Sequence, residues 1–143
     1  MAQKLMRFVL PGMLVIGQLI GMETAHGAAG SLDPTFGTGG VATTNLGVSL
    51  VNAIRSQSTG DILVLVLATA SNEVLRYTTE GELDTKFGND GAAITIGGSM
   101  SIAANDQSVV AGIATDPNNS QTALEVERLN ANGSIDITFG NMA

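Results

Sequence analysis

The chain has 143 residues, 13 acidic against 6 basic side chains, a net charge of −7 and no cysteine or tryptophan. That length suits one ordinary domain, and so acidic a surface repels phosphate backbones, which excludes nucleic acid as a partner. Lack of cysteine excludes both a disulfide framework and a lipid anchor on an N-terminal cysteine, so packing and backbone pairing must hold the fold.

Residues 1–29 read as a signal peptide. Lys4 and Arg7 form a short basic region, Phe8 to Ile20 an apolar run, and Ala25 to Gly30 a stretch of small residues around His26. Cleavage is predicted after Gly27 or Ala29. The apolar run has 13 residues, short of the roughly 20 that a helix needs to cross the hydrocarbon core. The expected product has no membrane span and is secreted, periplasmic or held at the cell surface. Cleavage removes His26, the only histidine, and leaves Arg55, Arg76, Lys86 and Arg128 as the only basic side chains.

A nine-residue motif then sets the organisation. It stands first as Leu32-Asp33-Pro34-Thr35-Phe36-Gly37-Thr38-Gly39-Gly40 and again as Leu83-Asp84-Thr85-Lys86-Phe87-Gly88-Asn89-Asp90-Gly91. A third copy opens as Ile135-Asp136-Ile137-Thr138-Phe139-Gly140. The phenylalanines are 51 and 52 residues apart. A fixed period of about 50 residues marks a repeat architecture. The predicted divisions are 30–81 for repeat 1, 82–133 for repeat 2 and 134–143 for the start of a truncated third.

Between the motifs lie short apolar stretches separated by turn residues. In the first repeat these are Val41 to Leu46, Leu50 to Ser56, Ile62 to Leu67 and Glu73 to Thr79. The unbroken aliphatic run Ile62 to Leu67 reads as a strand buried on both faces. In the second repeat Ala92 to Ile96, Met100 to Ala104, Val109 to Ala114 and Ala123 to Leu129 follow in the same order. The offset between copies is 51 at Gly40/Gly91, 47 at Val64/Ala111 and 52 at Arg76/Arg128, so insertions and deletions fall in turns. No sustained 3.6-residue period appears after the leader, and turns recur every 8 to 12 residues. The prediction is all-β: two four-stranded antiparallel repeat units, forming an incomplete propeller or a small sandwich.

Each motif residue has a structural task. Gly37, Gly88 and Gly140, and the ninth-position Gly40 and Gly91, suit positive φ or close backbone approach. Asp33, Asp84 and Asp136 can accept bonds from backbone N–H groups two or three residues on. Leu32, Leu83 and Ile135, with Phe36, Phe87 and Phe139, are expected to wedge one sheet against the next. Area alone makes a buried Phe worth roughly 2–3 kcal/mol.

The pattern Leu-Asp-x-x-Phe-Gly-x-x-Gly, preceded by Arg76-Tyr77-x-x-x-Gly81 or Arg128-Leu129-x-x-x-Gly133, resembles the delta-60 repeat. The resemblance covers nearly all of the chain after the leader. It implies an exported bacterial protein with β-propeller-type blades, and it brings no agreed activity or catalytic residues. Two full copies and a third without its ninth-position glycine depart from the long arrays of that family.

Asp84, Asn89 and Asp90 around a glycine-rich turn suggest a Ca²⁺ site. Thr38-Gly39 and Asn141-Met142 stand at the equivalent of Asn89-Asp90, so a cage of six to eight oxygens is not repeated, and the motif reads as turn structure. Without His or Cys after the leader, triad chemistry, zinc sites and histidine acid–base catalysis lack their essential group. No cofactor is expected. Glu125 and Glu127 lie on one face of an alternating strand and could serve as a glycosidase pair, although a solvated strand face explains them as well. Asn118-x-Ser120 and Asn132-x-Ser134 match glycosylation sequons but read as turns. The sequence predicts an exported binding or scaffold module without catalysis, its partners being further copies of itself or other repeat proteins. The alternatives are a carboxylate-dependent hydrolase of surface glycans, or the remnant of a longer array.

Overall fold

A computed structural model describes residues 29–47, 49–68, 71–116 and 118–140. The predicted leader, apart from Ala29, lies outside them. Strands β1 (Ser49–Ser56), β2 (Ile62–Ala68), β3 (Asn72–Tyr77) and β4 (Ala92–Thr95) form one antiparallel sheet in that order. Strands β5 (Ser99–Ile102), β6 (Ser108–Thr115) and β7 (Thr122–Leu129) form a second. One 3-10 turn at Ala104–Asp106 is the only helical element among the described residues. No helix there is long and apolar enough to cross a membrane.

Local chemistry explains the elements. The β1–β2 connection closes when Gly60 N–H donates to Gln57 O and Gln57 N–H to Asp61 O, with Gly60 at φ +91°. β2 and the β3 segment Val74-Leu75 supply the branched and aliphatic side chains that suit a pleated, half-buried surface. Two of the turns before motifs are alike: Gly81 N–H bonds Thr78 O and Gly133 N–H bonds Asn130 O.

The chain is all-β in two antiparallel sheets, but the sheets are out of phase with the sequence repeat. Ala92–Thr95 follows the second motif, yet it pairs with β3 through Leu75↔Ala92, Val74↔Ala93, Glu73↔Ile94 and Asn72↔Thr95. The motif is thus a loop inside a sheet, between its third and fourth strands. The second sheet consequently has three strands among the described residues, not the four predicted. Val41 to Leu46, predicted as a strand, is extended chain with a single bridge at Val41. It occupies the place of β4 relative to its motif but belongs to neither sheet; it runs over the outer face of the first, where the Tyr77 hydroxyl bonds Thr44 Oγ1 at 2.7 Å. The equivalence of strands also shifts. Leu63 faces Arg76 and Val109 faces Arg128, so Val64 corresponds to Val110, an offset of 46 and not 47. One residue matters, because it exchanges the faces of the strand.

The core lies between the two sheets. Leu63, Leu65 and Val74 from the first sheet, with Ala93 from β4, meet Met100, Val110 and Leu129 from the second, and Phe87 fills the end. Alternation assigns the rest. Ile62, Val64, Leu75 and Tyr77 point to the opposite face of the first sheet, and Val109, Ala111 and Val126 to the opposite face of the second.

Candidate functional site

The junction between one motif and the loop before the next is the feature the chain builds twice. In each motif the Phe N–H donates to the Asp carbonyl: Phe36 to Asp33 at 3.1 Å, Phe87 to Asp84 at 3.0 Å, Phe139 to Asp136 at 3.1 Å. The Asp Oδ1 accepts the N–H two residues on, from Thr35, Lys86 and Thr138. Gly40 N–H returns to Phe36 O and Gly91 N–H to Phe87 O, both at 2.9 Å. The turn therefore closes on its own backbone and presents the ring outward.

The next loop receives that ring. Gly37 N–H donates to Glu80 O at 2.6 Å and Gly88 N–H to Asn132 O at 2.8 Å. Gly81 and Gly133, at φ +80° and +85°, lie flat against the rings of Phe36 and Phe87. Burial is unequal: Phe87 is fully enclosed, whereas Phe36 and Phe139 are half-buried.

An arginine eight residues before each of the later aspartates completes the clasp. Arg76 meets Asp84 Oδ2 through Nε at 2.8 Å and Nη2 at 2.6 Å, and its guanidinium lies 4.8 Å from the Phe87 ring centre. Arg128 repeats this with Asp136 at 2.8 and 2.6 Å and with Phe139 at 4.7 Å. Arg76 also donates from Nη1 to Ala131 O, tying the second motif's sheet to the third motif's approach. The fork of the guanidinium suits a carboxylate bidentately and an aromatic face at once, which lysine cannot copy. The Lys86 N–H, with Arg76, holds the Asp84 carboxyl below its ordinary value; the Thr138 hydroxyl, with Arg128, does the same for Asp136.

The first residue of each motif behaves differently from the ring. Leu83 is half-buried and packs over Gly91 of its own turn, Leu32 sits over Gly40, and Leu32 and Ile135 are largely exposed. Gly140 stands at φ +75° in the third motif. The roles of Arg76, Arg128, Gly81 and Gly133 were not assigned from sequence. Their signal was present: both arginines precede the motif Asp by eight residues and both glycines precede it by three.

Outside each clasp lies an open groove, one of about 330 Å³ over Gly37, Val41 and Glu82, the other of about 490 Å³ over Gly88, Ala92 and Ser134. The second also carries Glu73 and Lys86 on its walls. Among the described residues no three His, Cys, Asp or Glu side chains gather as a metal site. In the proposed Ca²⁺ turn, the Asp84 oxygens are taken by Lys86 N–H and Arg76. The Glu125 and Glu127 pair is split in role: Glu125 is exposed, whereas Glu127 accepts bonds from Thr95 Oγ1 and from Ile96 N–H, bracing the two sheets.

A second brace lies at the far end of the sheets. Ser58 donates from N–H and Oγ to the Asp106 carboxylate, and Gln57 Nε2 donates to Asp106 O. Asn105 and Asp106 hold positive φ to make this reach.

Residues 103–139 match a β-propeller domain of unknown function, DUF5122. The match runs from the 3-10 turn through β6 and β7 to the ring of the third motif, so it spans one clasp and supports a β-propeller-type repeat. No curated protein and no solved structure matches the chain.

Proposed function

We propose that this chain is an exported, non-catalytic binding or scaffold module assembled from delta-60-type propeller repeats. The observation that carries the reading is the Phe87 clasp, in which the conspicuous side chains of the repeat are consumed in joining one sheet to the next. Phe87, Arg76 and Asp84 face each other and not a cavity. Glu127, one of the two carboxylates that the hydrolase alternative needs, is engaged as a strut to Thr95 and Ile96. What remains for partners is surface, including two grooves of similar build and different polarity, offered to further copies of the chain or to other repeat proteins.

The test uses the full chain expressed with its own leader in a bacterial host. Mass spectrometry of the recovered protein is expected to place the N-terminus at Ala28 or Gly30, in the periplasm, medium or cell-surface fraction. A panel of surface glycans is expected to pass through unchanged. A cytoplasmic product with an intact leader would overturn the export reading. Glycan turnover that disappears in Glu125→Gln or Glu127→Gln would overturn the non-catalytic one.

A further inference from the structure

The turn before the third motif brings an electrophile and a nucleophile together. Of the asparagines in the chain, only Asn132 is followed by glycine. The side-chain Cγ of an asparagine can be attacked by the backbone nitrogen of the next residue, and glycine sets no Cβ in the way.

The fold readies the electrophile. Ser134 donates to Asn132 Oδ1 twice, from its N–H at 3.1 Å and from its hydroxyl at 2.8 Å. Both bonds draw electron density away from Cγ. The same turn locks the nucleophile. Gly133 N–H donates to Asn130 O at 2.8 Å, and the glycine is buried against the Phe87 ring. Asn132 O accepts from Gly88 N–H at 2.8 Å, which fixes the peptide between the two residues. In a turn closed in this way the third residue holds ψ at about 0°, whereas ring closure must swing that peptide round to Cγ. Closure must also strip the Gly133 proton. Both backbone bonds therefore have to open first.

We infer that Asn132 is a self-modification site, deamidated through a succinimide whenever the Phe87 clasp opens. Gly133 N gives up its proton and bonds Cγ, while the Cγ–Nδ2 bond breaks and Nδ2 leaves with a proton as ammonia. Water then opens the five-membered ring on one of two sides. Breaking the new N–Cγ bond leaves an aspartate at 132. Breaking the bond from Gly133 N to the backbone carbonyl carbon leaves isoaspartate, with the chain routed through Cγ. The carbonyl that held Gly88 is then part of a free carboxylate.

The first repeat separates the two products. Its equivalent turn carries Glu80-Gly81, and Glu80 O accepts from Gly37 N–H at 2.6 Å. An acidic residue at this place is compatible with the backbone bond, so the aspartate product keeps the clasp. Isoaspartate lengthens the chain by one carbon where Gly133 fits without slack, a Cβ there standing 2.7 Å from the Gly88 nitrogen. That product dismantles the clasp. Glycine is required at 133 by the ring, so the reactivity is set by its neighbour, and the first repeat lacks it.

The test follows the full chain in mildly alkaline buffer, once folded and once in urea. Peptide mass mapping reads the exchange of amide for carboxylate, and isoaspartyl methyltransferase labels the rearranged product. In urea the peptide after Arg128 is expected to convert before any other, with Asn132 as the changed residue. In buffer its conversion is expected to be at least about tenfold slower, because the free energy of opening a packed turn enters the rate. Chains bearing isoaspartate are expected to unfold at lower urea than the parent, and Asn132→Asp close to it. Equal rates in buffer and in urea would overturn the inference, as would another asparagine converting first. An isoaspartate form as stable as Asn132→Asp would overturn it too, since the clasp would then not depend on this peptide.

Discussion

The α-carbon of Gly133 lies against the ring of Phe87, with no room between them for a methyl group. A Cβ on Gly133 would stand 2.7 Å from the Gly88 nitrogen and 3.0 Å from two carbons of the ring. Gly47 has a similar backbone, φ +71° against +85°, but nothing within 4 Å of its would-be Cβ. The pair separates conformational strain from collision. Gly47→Ala should cost about 1–2 kcal/mol, the ordinary penalty of a left-handed L-residue. Gly133→Ala should cost distinctly more, because the Gly88–Asn132 bond must open or the ring must move. Thermal or urea unfolding of both variants checks this; equal losses would mean that the ring has another way to settle.

The three motif rings give a graded series. Phe87 is sealed by both sheets and by Arg76, whereas Phe36 and Phe139 are half-buried. Phe87→Ala should lose about 3–5 kcal/mol, the usual range for emptying a buried aromatic site. Phe36→Ala and Phe139→Ala should each lose less.

The repeat and its rings were legible because Phe36, Phe87 and Phe139 are nearly all the aromatic content after the leader and recur at one period. The aliphatic strands were legible for the same local reason: Ile62 to Leu67 and Val109 to Ala114 have the right chemistry whatever they pair with. The phase of the sheets was not. That Ala92–Thr95 closes the first sheet is a fact about β3, about 20 residues upstream, and pairing partners leave no mark on a short apolar run. Arg76 was hidden differently. An arginine in an alternating strand reads as a solvated face, and only the ring and carboxylate that the fold brings to it reveal its role.

The Asp84 turn also fixes how the chain responds to divalent cations. Its oxygens already accept from Lys86 N–H and the Arg76 guanidinium, which leaves little acceptor capacity and sets a positive charge beside any incoming cation. Millimolar Ca²⁺ or EDTA is therefore expected to leave the unfolding midpoint unchanged. A midpoint raised by Ca²⁺ and restored by EDTA, then lost in Asp90→Ala, would revive the metal reading of that turn.

Acid should weaken the clasps, and the sign follows from the direction of three shifts. Asp84 is held below its ordinary value chiefly by the Lys86 N–H with help from Arg76, Asp136 by the Thr138 hydroxyl and Arg128, and Asp106 by the Ser58 hydroxyl and N–H. A carboxylate whose pKa is lowered by folding binds more protons when the chain is unfolded, so stability rises with pH. Each contribution is complete above the unfolded value of about 3.9 and drains away as pH falls toward the lowered folded value. Urea midpoints should therefore be level from neutrality down to about pH 5 and drop steeply below about pH 4. Asp84→Asn and Asp136→Asn should each start lower at neutral pH and show a shallower acid limb. The comparison between variants cancels the repulsion shared by an acidic chain. An acid limb that keeps its full slope in both variants would place the controlling protons elsewhere, among Asp106, Asp33 and Glu80, whose carboxyls are also held low by their hydrogen bonds.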